Sequence, residues 1–314
     1  MILCATLNPC LDKTLTVPPW QPGESVRGVA TREMVGGKGN NVARALARLG
    51  RQARPVTFLG GPTGDRCEKL LREADGFDPL VTPTASETRV ILTVRTDSTN
   101  DQSAFFDPDP AINEAEALAF AHRVEGALSA GGVEALTLSG SSPAPATHAL
   151  FSDLIALAQA RGVPVFLDTY GPALAEIWGF WPHAIQLNRR EAAHHLGQPD
   201  ASESDRLALL DRWSGRGVRI AIITDGPDPA LARFRNQTFR VTPPSIDPVN
   251  PIGSGDSLLA GLVDAHLAGL DPEATLRRAV ASAVSNALHW DAGDVDRSQL
   301  ALLEEEIRIN PLNE

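Results

Sequence analysis

The sequence predicts an α/β fold built on a mainly parallel sheet, because short apolar segments alternate with amphipathic segments along the chain. Strands that are covered by helices on both faces are short and almost wholly apolar, since neither face meets water. Segments of this character lie at 2–6, 56–59, 90–94, 136–138, 163–167, 184–187 and 220–224. We therefore expect crossover connections, with helices on both faces of one sheet.

Helical periodicity fills the intervals between these strands. The first helix follows Gly37, carries Arg44 on the face opposite to its apolar residues, and has Gly50 placed as a C-terminal cap. Further helical patterns lie near residues 65–75, 113–129, 146–161, 189–197 and 203–214, and after Pro251 near 255–268, 272–289 and 297–308. Beyond Pro251 the sequence therefore predicts helices up to the end of the chain.

Two segments depart from this alternation of strands and helices. Residues 12–35 and 86–108 carry alternating and β-branched side chains without a helix of their own. We expect them to pair as a small accessory sheet, a lid over the carboxyl edge of the main sheet, where ligands of such folds bind. The sequence contains no evident repeat, low-complexity tract or interdomain linker, so residues 1–314 are predicted to form a single domain with this lid.

Composition argues against several classes of partner. The chain carries 28 basic and 39 acidic residues, a formal net charge of −11, and lacks the broad basic field that nucleic-acid binding needs. A polyanionic substrate would therefore need a local cluster of cations. No segment approaches the roughly 18–20 apolar residues of a membrane span, and the N-terminus lacks the basic region of a signal peptide. Cys4, Cys10 and Cys67 fit no disulfide or metal pattern, so we predict a cytoplasmic protein.

Residues 250–257 hold the sharpest chemical signal. Gly253 and Gly255 flank Ser254 directly before a predicted helix, where free backbone N–H groups and the helix dipole form an anion site. Glycine lets the backbone approach a phosphate closely. Asp256 would repel that phosphate unless it accepts a proton from a hydroxyl that attacks it. The alternative is that Asp256 caps the helix without any catalytic role.

A second glycine-rich segment, residues 36–43, places Gly37 and Lys38 just before the first helix. Three glycines around one lysine suggest that the backbone approaches a polar ligand closely, although the spacing is not that of a Walker A loop. A flexible turn is the alternative interpretation of this segment on its own.

Together, the two segments resemble the phosphofructokinase B branch of the ribokinase-like carbohydrate kinases. The resemblance covers essentially the whole chain, and the two glycine-rich segments carry most of its specificity. The matching stretches are residues 6–12, 23–27, 36–43, 88–89, 139–141, 167–168, 188–191, 224–226 and 253–256. The resemblance implies a three-layer α/β/α domain with a β lid, ATP as the phosphoryl donor and a sugar hydroxyl as the acceptor.

The resemblance also implies roles for individual residues. Asp256 matches the catalytic base of the family, and Gly253, Ser254 and Gly255 match its anion hole. The positions that match residues on the sugar side are Asp12, Gly37, Asn41 and Ser139.

Nucleotide and metal binding follow from the same resemblance. Thr224 and Gly226 match the nucleotide loop, beside Asn188 and the glycines of the anion hole. Asn188 and Glu191 match an N-x-x-E element that organises Mg²⁺ indirectly, through water, which suits the partly hydrated oxygen sites of this ion. Asp168, at the end of a strand, is a candidate for a similar indirect role or for structural hydrogen bonding. Lids of the family sometimes pair between subunits, so we expect a homodimer through the lid.

The substrate prediction depends on three cations. Family members that act on phosphorylated ketohexoses place cations at the positions of Arg27, Lys38 and Arg89, which supply the local cluster that an acidic chain needs. A sugar phosphate such as fructose 1-phosphate, fructose 6-phosphate or tagatose 6-phosphate is therefore the predicted acceptor. The alternative is that Arg27 and Arg89 are solvated lid residues.

Several positions depart from the family pattern. Gln186 stands where a lysine helps to neutralise the nucleotide phosphates, and Pro229 replaces a glycine of the nucleotide loop. Asp109 brings negative charge toward the substrate, and Ala104 stands where relatives can carry another lid arginine. These departures leave open a kinase for an unphosphorylated sugar or a nucleoside, or a ligand-sensing pseudokinase. A nicotinamide-dependent dehydrogenase is disfavoured, because no acidic residue follows the glycines at 253–255 at the end of a second strand.

Overall fold

The structure, a computed structural model, describes residues 1–96, 102–177 and 179–312. Each predicted apolar segment lies in a strand, except that 163–167 begins two residues before its strand. The strands in chain order are β1 (Ile2–Thr6), β2 (Cys10–Val17), β3 (Ala30–Gly36), β4 (Ala53–Leu59), β5 (Leu80–Pro83), β6 (Arg89–Thr96), β7 (Gln102–Phe106), β8 (Ala135–Ser139), β9 (Val165–Asp168), β10 (Ala184–Asn188), β11 (Ile220–Asp225), β12 (Asp228–Phe234), β13 (Gln237–Thr242) and β14 (Arg308–Leu312).

Apart from the short α5, the helices lie in the predicted intervals. They are α1 (Lys38–Arg48), α2 (Gly61–Glu73), α3 (Glu114–Ser129), α4 (Leu150–Gln159), α5 (Pro172–Ala175), α6 (Arg189–Leu196), α7 (Glu203–Gly215), α8 (Ser254–Leu267), α9 (Pro272–Ala287) and α10 (Leu300–Glu306). Within the described ranges, none of them combines the length and the apolar character that a membrane crossing needs.

The main sheet runs in the order β14-β13-β12-β11-β10-β9-β8-β1-β4-β5. From β11 to β5 all neighbouring strands pair in parallel, whereas β12, β13 and β14 extend one edge as antiparallel strands. Parallel strands carry their carboxyl ends to one edge of the sheet, which is where ligands of such folds bind.

Side chains of β1 alternate between two cores, as the two-residue period of a strand requires. Leu3 and Ala5 pack in one core with apolar residues of α3, α4, α6 and α7, whereas Ile2 and Cys4 pack in the other with residues of α1, α8 and α9. Helices therefore cover both faces, which confirms the predicted three-layer α/β/α fold. The predicted cap is also confirmed, since Gly50 just beyond α1 has a φ of 85°.

The predicted lid segments contribute a second sheet in the order β3-β2-β6-β7. β2 pairs antiparallel with β3 and parallel with β6, and β6 pairs antiparallel with β7. Residues 97–101, which belong to the predicted segment 86–108, lie outside the described residues. Cys10 of β2 is in register with Gly36 of β3 and with Arg89 of β6, so this sheet begins close to the chain that leaves β1.

The prediction of helices up to the end of the chain is wrong beyond Glu306. α10 ends there, Ile307 takes an extended conformation with its side chain buried, and β14 then pairs with β13. Pro311 lacks the N–H of a ladder strand and is tolerated because β14 is an edge strand. The hairpin of β12 and β13 is also absent from the sequence prediction. Its short turn contains Arg235 with a φ of 54°, a conformation that is uncommon outside glycine.

Candidate active site

The carboxyl ends of the parallel strands bring several predicted site residues into one row. Ser139 at the end of β8 is in register with Asp168 at the end of β9, and Asn188 at the end of β10 is in register with Thr224 of β11. Neighbouring strands lie about 4.8 Å apart, so these residues follow one another along the edge. Ser139 and Asp168 are buried, and the Oγ of Ser139 makes no hydrogen bond to the residues that the structure describes.

The first turn of α8 is held tightly against α9 and the loop that follows it. Gly253 has a φ of 84°, and a Cβ at this position would lie 2.7 Å from the Cβ of Ala292. Asn286 on α9 braces the same turn, because its Nδ2 donates to the carbonyl of Ile252 at 2.9 Å and to the Oγ of Ser254 at 3.3 Å. The first N–H groups of a helix lack intrahelical partners, and here that of Ser254 donates to the carbonyl of Pro251 at 3.2 Å. The predicted anion hole would use the other N–H groups of this turn.

Asp256 lies in this turn and is only 4% exposed. Its Oδ2 accepts a hydrogen bond of 2.8 Å from Nδ2 of Asn41 on α1. Burial raises the pKa of Asp256 to about 7, and the charge of Asp168 adds to the rise, while Lys38 and the hydrogen bond from Asn41 oppose it. The carboxylate therefore exchanges its proton near neutral pH, as a general base for a hydroxyl requires.

Lys38 bridges two carboxylates at the start of α1. Its Nζ donates to Oδ1 of Asp168 at 2.9 Å and to Oε1 of Glu191 at 3.0 Å. Burial alone would lower the pKa of Lys38, but the carboxylates of Asp168, Glu191 and Asp256 together raise it above its ordinary value. Gly37, directly before it, has a φ of 105°, which only glycine adopts readily. The structure thus holds a charged ammonium group among three acids.

Asn188 and Glu191 form a reciprocal capping box at the start of α6. The Oδ1 of Asn188 accepts from the backbone N–H of Glu191 at 2.9 Å, and Oε2 of Glu191 accepts from the backbone N–H of Asn188 at 3.0 Å. Nearby, Oδ2 of Asp168 is buried and makes no hydrogen bond within the described ranges. This unused oxygen lies near the carboxylate of Glu191, because both acids accept from Nζ of Lys38. Asp168 and Glu191 therefore fit a partly hydrated Mg²⁺, the ion that the family resemblance implies.

The residues predicted for the nucleotide lie farther along the same edge. Thr224 donates weakly to a backbone carbonyl of β10, and Gly226 occupies the turn after β11 with a φ of 59°. Gln186 is buried, and its Nε2 lies 3.1 Å from the place that a Cβ on Gly255 would occupy. Gln186 therefore stands beside the predicted anion hole with an uncharged amide. Pro229 lies on β12, at the antiparallel edge.

Arg89 belongs to a second polar cluster, between the end of β1 and the small sheet. Its Nη1 donates to Oδ1 of Asp109 at 2.9 Å, and the same oxygen accepts from Nδ2 of Asn8 at 2.8 Å. Nδ2 of Asn8 also reaches Oγ of Ser141 at 3.0 Å. The Nε of Arg89 and the Oδ1 of Asn8 are buried without a hydrogen bond to the described part of the chain. Asp109 thus pairs with Arg89, the residue that the family resemblance assigns to the sugar phosphate. Asp109 is one of the departures from the family pattern.

The remaining sugar-side residues lie outside both clusters. Asp12 on β2 is partly buried; burial raises the pKa of Asp12, Arg44 opposes the rise, and Asp291 adds to it. Arg27 is exposed between β2 and β3 and makes no hydrogen bond or ion pair with residues in the described ranges. Ala104 lies exposed on β7. Arg27 is thus exposed, whereas Lys38 and Arg89 are each paired with carboxylates of this chain.

Sequence reasoning missed two residues that support the site. Helical periodicity places Arg44 on the face of α1 opposite its apolar residues, yet its Nη1 donates to Oδ1 of Asn41 at 3.0 Å. The sequence spacing could have predicted this contact, because residues three apart on a helix are neighbours on its surface. Asn286 lies in no motif, and only the packing of α9 on α8 brings its amide to the glycine turn.

A model of the pfkB family of carbohydrate kinases matches residues 5–294. The chain belongs to the pfkB family. It is therefore an ATP-dependent carbohydrate kinase, and the resemblance inferred from the glycine-rich segments is confirmed. Membership also removes the dehydrogenase alternative.

Proteins of known structure share this pfkB fold over their whole length. Phosphofructokinase-2 from Escherichia coli in complex with potassium is 24% identical, with a TM-score of 0.88 over 97% of this chain and 98% of that chain. The same enzyme in complex with fructose-6-phosphate is 25% identical, with a TM-score of 0.83 over 96% and 98%. A Thermotoga maritima protein described as a possible 1-phosphofructokinase is 22% identical, with a TM-score of 0.88 over 99% of both chains.

Proposed function

We propose that this pfkB kinase transfers the γ-phosphoryl group of ATP to a hydroxyl of a ketohexose phosphate, with Asp256 as the general base. The observation that carries the proposal is the position of Asp256, a buried carboxylate with a pKa raised to about 7 in the first turn of α8. A structural cap would need neither this burial nor a hydrogen bond from Asn41 on another helix.

In the proposed reaction, the attacking hydroxyl passes its proton to Asp256 as its oxygen bonds to the γ-phosphorus. The bond from that phosphorus to the bridging oxygen breaks, and ADP leaves with the oxygen. The backbone N–H groups at Gly253 and Gly255 and the ammonium group of Lys38 stabilise the charge of the transferring group. When bound, Mg²⁺ would neutralise phosphate charge, with Asn188 and Glu191 as its water-mediated holders.

Arg89 supports a phosphorylated acceptor. Its side chain is 14% exposed, and its buried Nε lacks a hydrogen bond in the part of the chain that the structure describes, so an anionic group would satisfy it. Arg27 supplies a second cation on the lid side. Fructose 1-phosphate, fructose 6-phosphate and tagatose 6-phosphate are the proposed acceptors.

A second candidate is a kinase for an unphosphorylated sugar, and the contact between Asp109 and Arg89 favours it. The carboxylate already neutralises the guanidinium at 2.9 Å, and a phosphate at the same place would meet its negative charge. A sugar hydroxyl could instead donate to the carboxylate.

A panel of ketohexose phosphates and the matching free sugars, assayed for ADP release with Mg²⁺-ATP, tests the proposal. We expect a phosphorylated ketohexose to exceed its free counterpart by about 10²-fold or more in kcat/KM, because the charged contacts to Arg89 are lost without the phosphate. Chelation of Mg²⁺ should abolish the release of ADP. Equal or better turnover of the free sugars would support the second candidate function. If no sugar of the panel stimulated the release of ADP, both candidate functions would be contradicted.

We also propose that the chain forms a homodimer through the small sheet. Phe105 and Phe106 of the edge strand β7 expose 54% and 64% of their surfaces on opposite faces of the small sheet, and a second copy that packed against this edge would cover them. Light scattering of Phe106→Ser should show a smaller particle than the unaltered chain. Leu302→Ser, which changes a comparably exposed residue on α10, is the matched control.

A further inference from the structure

Arg44 on α1 is much less solvated than its place in the sequence pattern suggests. Its side chain is 12% exposed. Its Nε and Nη2 each donate a hydrogen bond of 2.9 Å to the carboxylate of Asp75, which follows α2. Nη2 also donates to the carbonyl of Val35 on β3. Such a fork fixes the guanidinium plane more firmly than a single ion pair does. Arg44 is thus an immobilised donor inside the fold.

The remaining arm of this guanidinium reaches the proposed active site. Nη1 of Arg44 donates to Oδ1 of Asn41 at 3.0 Å, and Nδ2 of Asn41 donates to Oδ2 of Asp256 at 2.8 Å. A guanidinium carries only donors, so the amide oxygen must face Arg44. The NH₂ group of Asn41 must then face the carboxylate. Turned the other way, the amide would aim its oxygen at Asp256 and its NH₂ at the guanidinium, with both hydrogen bonds lost.

We propose that Arg44 is a positioning residue for phosphoryl transfer, which holds the amide of Asn41 with its NH₂ group toward Asp256. The proposal rests on the proposed function, in which Asp256 accepts the hydroxyl proton. With Oδ2 bound to Asn41, the other carboxylate oxygen is left for the incoming hydroxyl. Asp75 keeps Arg44 in place and so acts one step further from the reaction.

An arginine suits this role better than a lysine. Its planar fork addresses two carboxylate oxygens and an amide oxygen at once, whereas an ammonium is a compact point charge on a flexible stem. The same guanidinium opposes the rise that burial causes in the pKa of Asp12 on β2. Arg44 thereby acts on two residues of the sugar side, Asn41 and Asp12, from outside the pocket.

The kinetic test is Arg44→Met in the otherwise unchanged chain. We expect kcat with the preferred sugar to fall about 10–100-fold, the size of effect for loss of a hydrogen bond to a charged group, with KM for ATP unchanged. In an Asn41→Ala background, the same substitution should change kcat by less than about threefold, because the amide that Arg44 orients is gone. Arg48→Met, one turn further along α1 and 62% exposed, should keep the parent kcat. Full additivity of the two substitutions would overturn the proposal.

A second variant guards against misfolding, since Arg44→Met leaves the partly buried Asp75 without its partner. Arg44→Met with Asp75→Asn removes both charges and keeps the shape of the second side chain, and it should show the same loss of kcat. A double variant that folds as the parent does and keeps the parent kcat would overturn the proposal.

A spectroscopic signature tests the positioning without turnover. The side-chain NH₂ of Asn41, assigned by its loss in Asn41→Ala, should exchange slowly with solvent in the parent chain. It should exchange at least about tenfold faster in both Arg44 variants, as expected for loss of a buried hydrogen bond. Unchanged exchange would overturn the positioning role, whereas failure of Asp256 as the base would appear only in the kinetics.

Discussion

The side-chain amide of Asn41 donates a hydrogen bond of 2.8 Å to the carboxylate of Asp256, so the first turns of α1 and α8 meet at one buried acid. The two residues are 215 positions apart in the chain. Each lies within a glycine-rich segment, and each segment contains a glycine of positive φ directly before its helix. The predicted sugar side and the predicted anion hole are therefore joined directly, which makes the pair a sensitive place to test the proposed chemistry.

The activity should depend on pH through Asp256. Burial raises the pKa of Asp256 to about 7, and the base works only without its proton. Below pH 7 the working fraction falls about tenfold per pH unit, so kcat/KM should rise with unit slope up to about pH 7 and level off above it. A profile of kcat/KM from pH 5 to 9 checks this expectation. A flat profile between pH 5 and 7 would contradict the raised pKa of the base.

Lys38→Met should lower kcat by about 10²-fold, because in the proposed reaction the ammonium group of Lys38 stabilises the transferring phosphoryl group. The loss should persist at saturating ATP. Lys69→Met, which changes an exposed lysine on α2, is the matched control. Circular dichroism establishes that the variant is folded, since Asp168 and Glu191 lose a shared partner. A folded variant that keeps the parent kcat would remove Lys38 from the reaction.

Asp109→Asn should release Arg89 for the substrate. Removal of one like charge near a bound phosphate is worth about 1 kcal/mol at the protein surface, so KM for the sugar phosphate should fall about fivefold. Arg89→Met should raise the same KM and leave the KM for ATP alone. Asp107→Asn, whose carboxylate binds the backbone N–H of Val90 instead, is the control. Should Asp109→Asn raise the KM, Asp109 itself would be a substrate ligand, as the second candidate function requires.

Gly253→Ala should destabilise the fold as well as the site. Gly76→Ala is the matched control, because Gly253 and Gly76 both have a positive φ. Alanine in this conformation lowers the free energy of unfolding by about 1 kcal/mol. Only at Gly253 would the added Cβ meet a neighbour, 2.7 Å from the Cβ of Ala292, and such overpacking costs about 1–3 kcal/mol more. Urea unfolding of the two alanine variants measures the difference. Equal losses of unfolding free energy would show that the turn before α8 relaxes freely.

Local patterns predicted much of this molecule. The apolar run at Ile2–Thr6 is bounded in the sequence as in the structure, since a strand buried on both faces has a continuous apolar signature. The glycines at 253 and 255 predicted the start of α8 for a similar reason, because backbone geometry there limits the residue type.

Contacts between distant segments could not be predicted in the same way. The ion pair of Arg89 with Asp109 depends on how β6 and the turn after β7 meet, and a charged residue by itself does not reveal its partner. β12 has apolar residues on both faces, β13 alternates over only six residues, and the turn between them lacks glycine, so neither the strand period nor turn chemistry predicted this hairpin. Arg44 was misjudged because helical periodicity separates faces by polarity, and a buried ion pair violates that separation.

Turnover of Asp256→Asn decides between a catalytic and a structural role for the buried carboxylate. The substitution keeps the size of the side chain and removes its basicity. We expect kcat to fall by about 10²–10⁴-fold with the preferred sugar and Mg²⁺-ATP. Calorimetric titration should give a sugar Kd within about threefold of the parent value, because the residues that hold the sugar are intact. Turnover at the parent rate would contradict the assignment of Asp256 as the base.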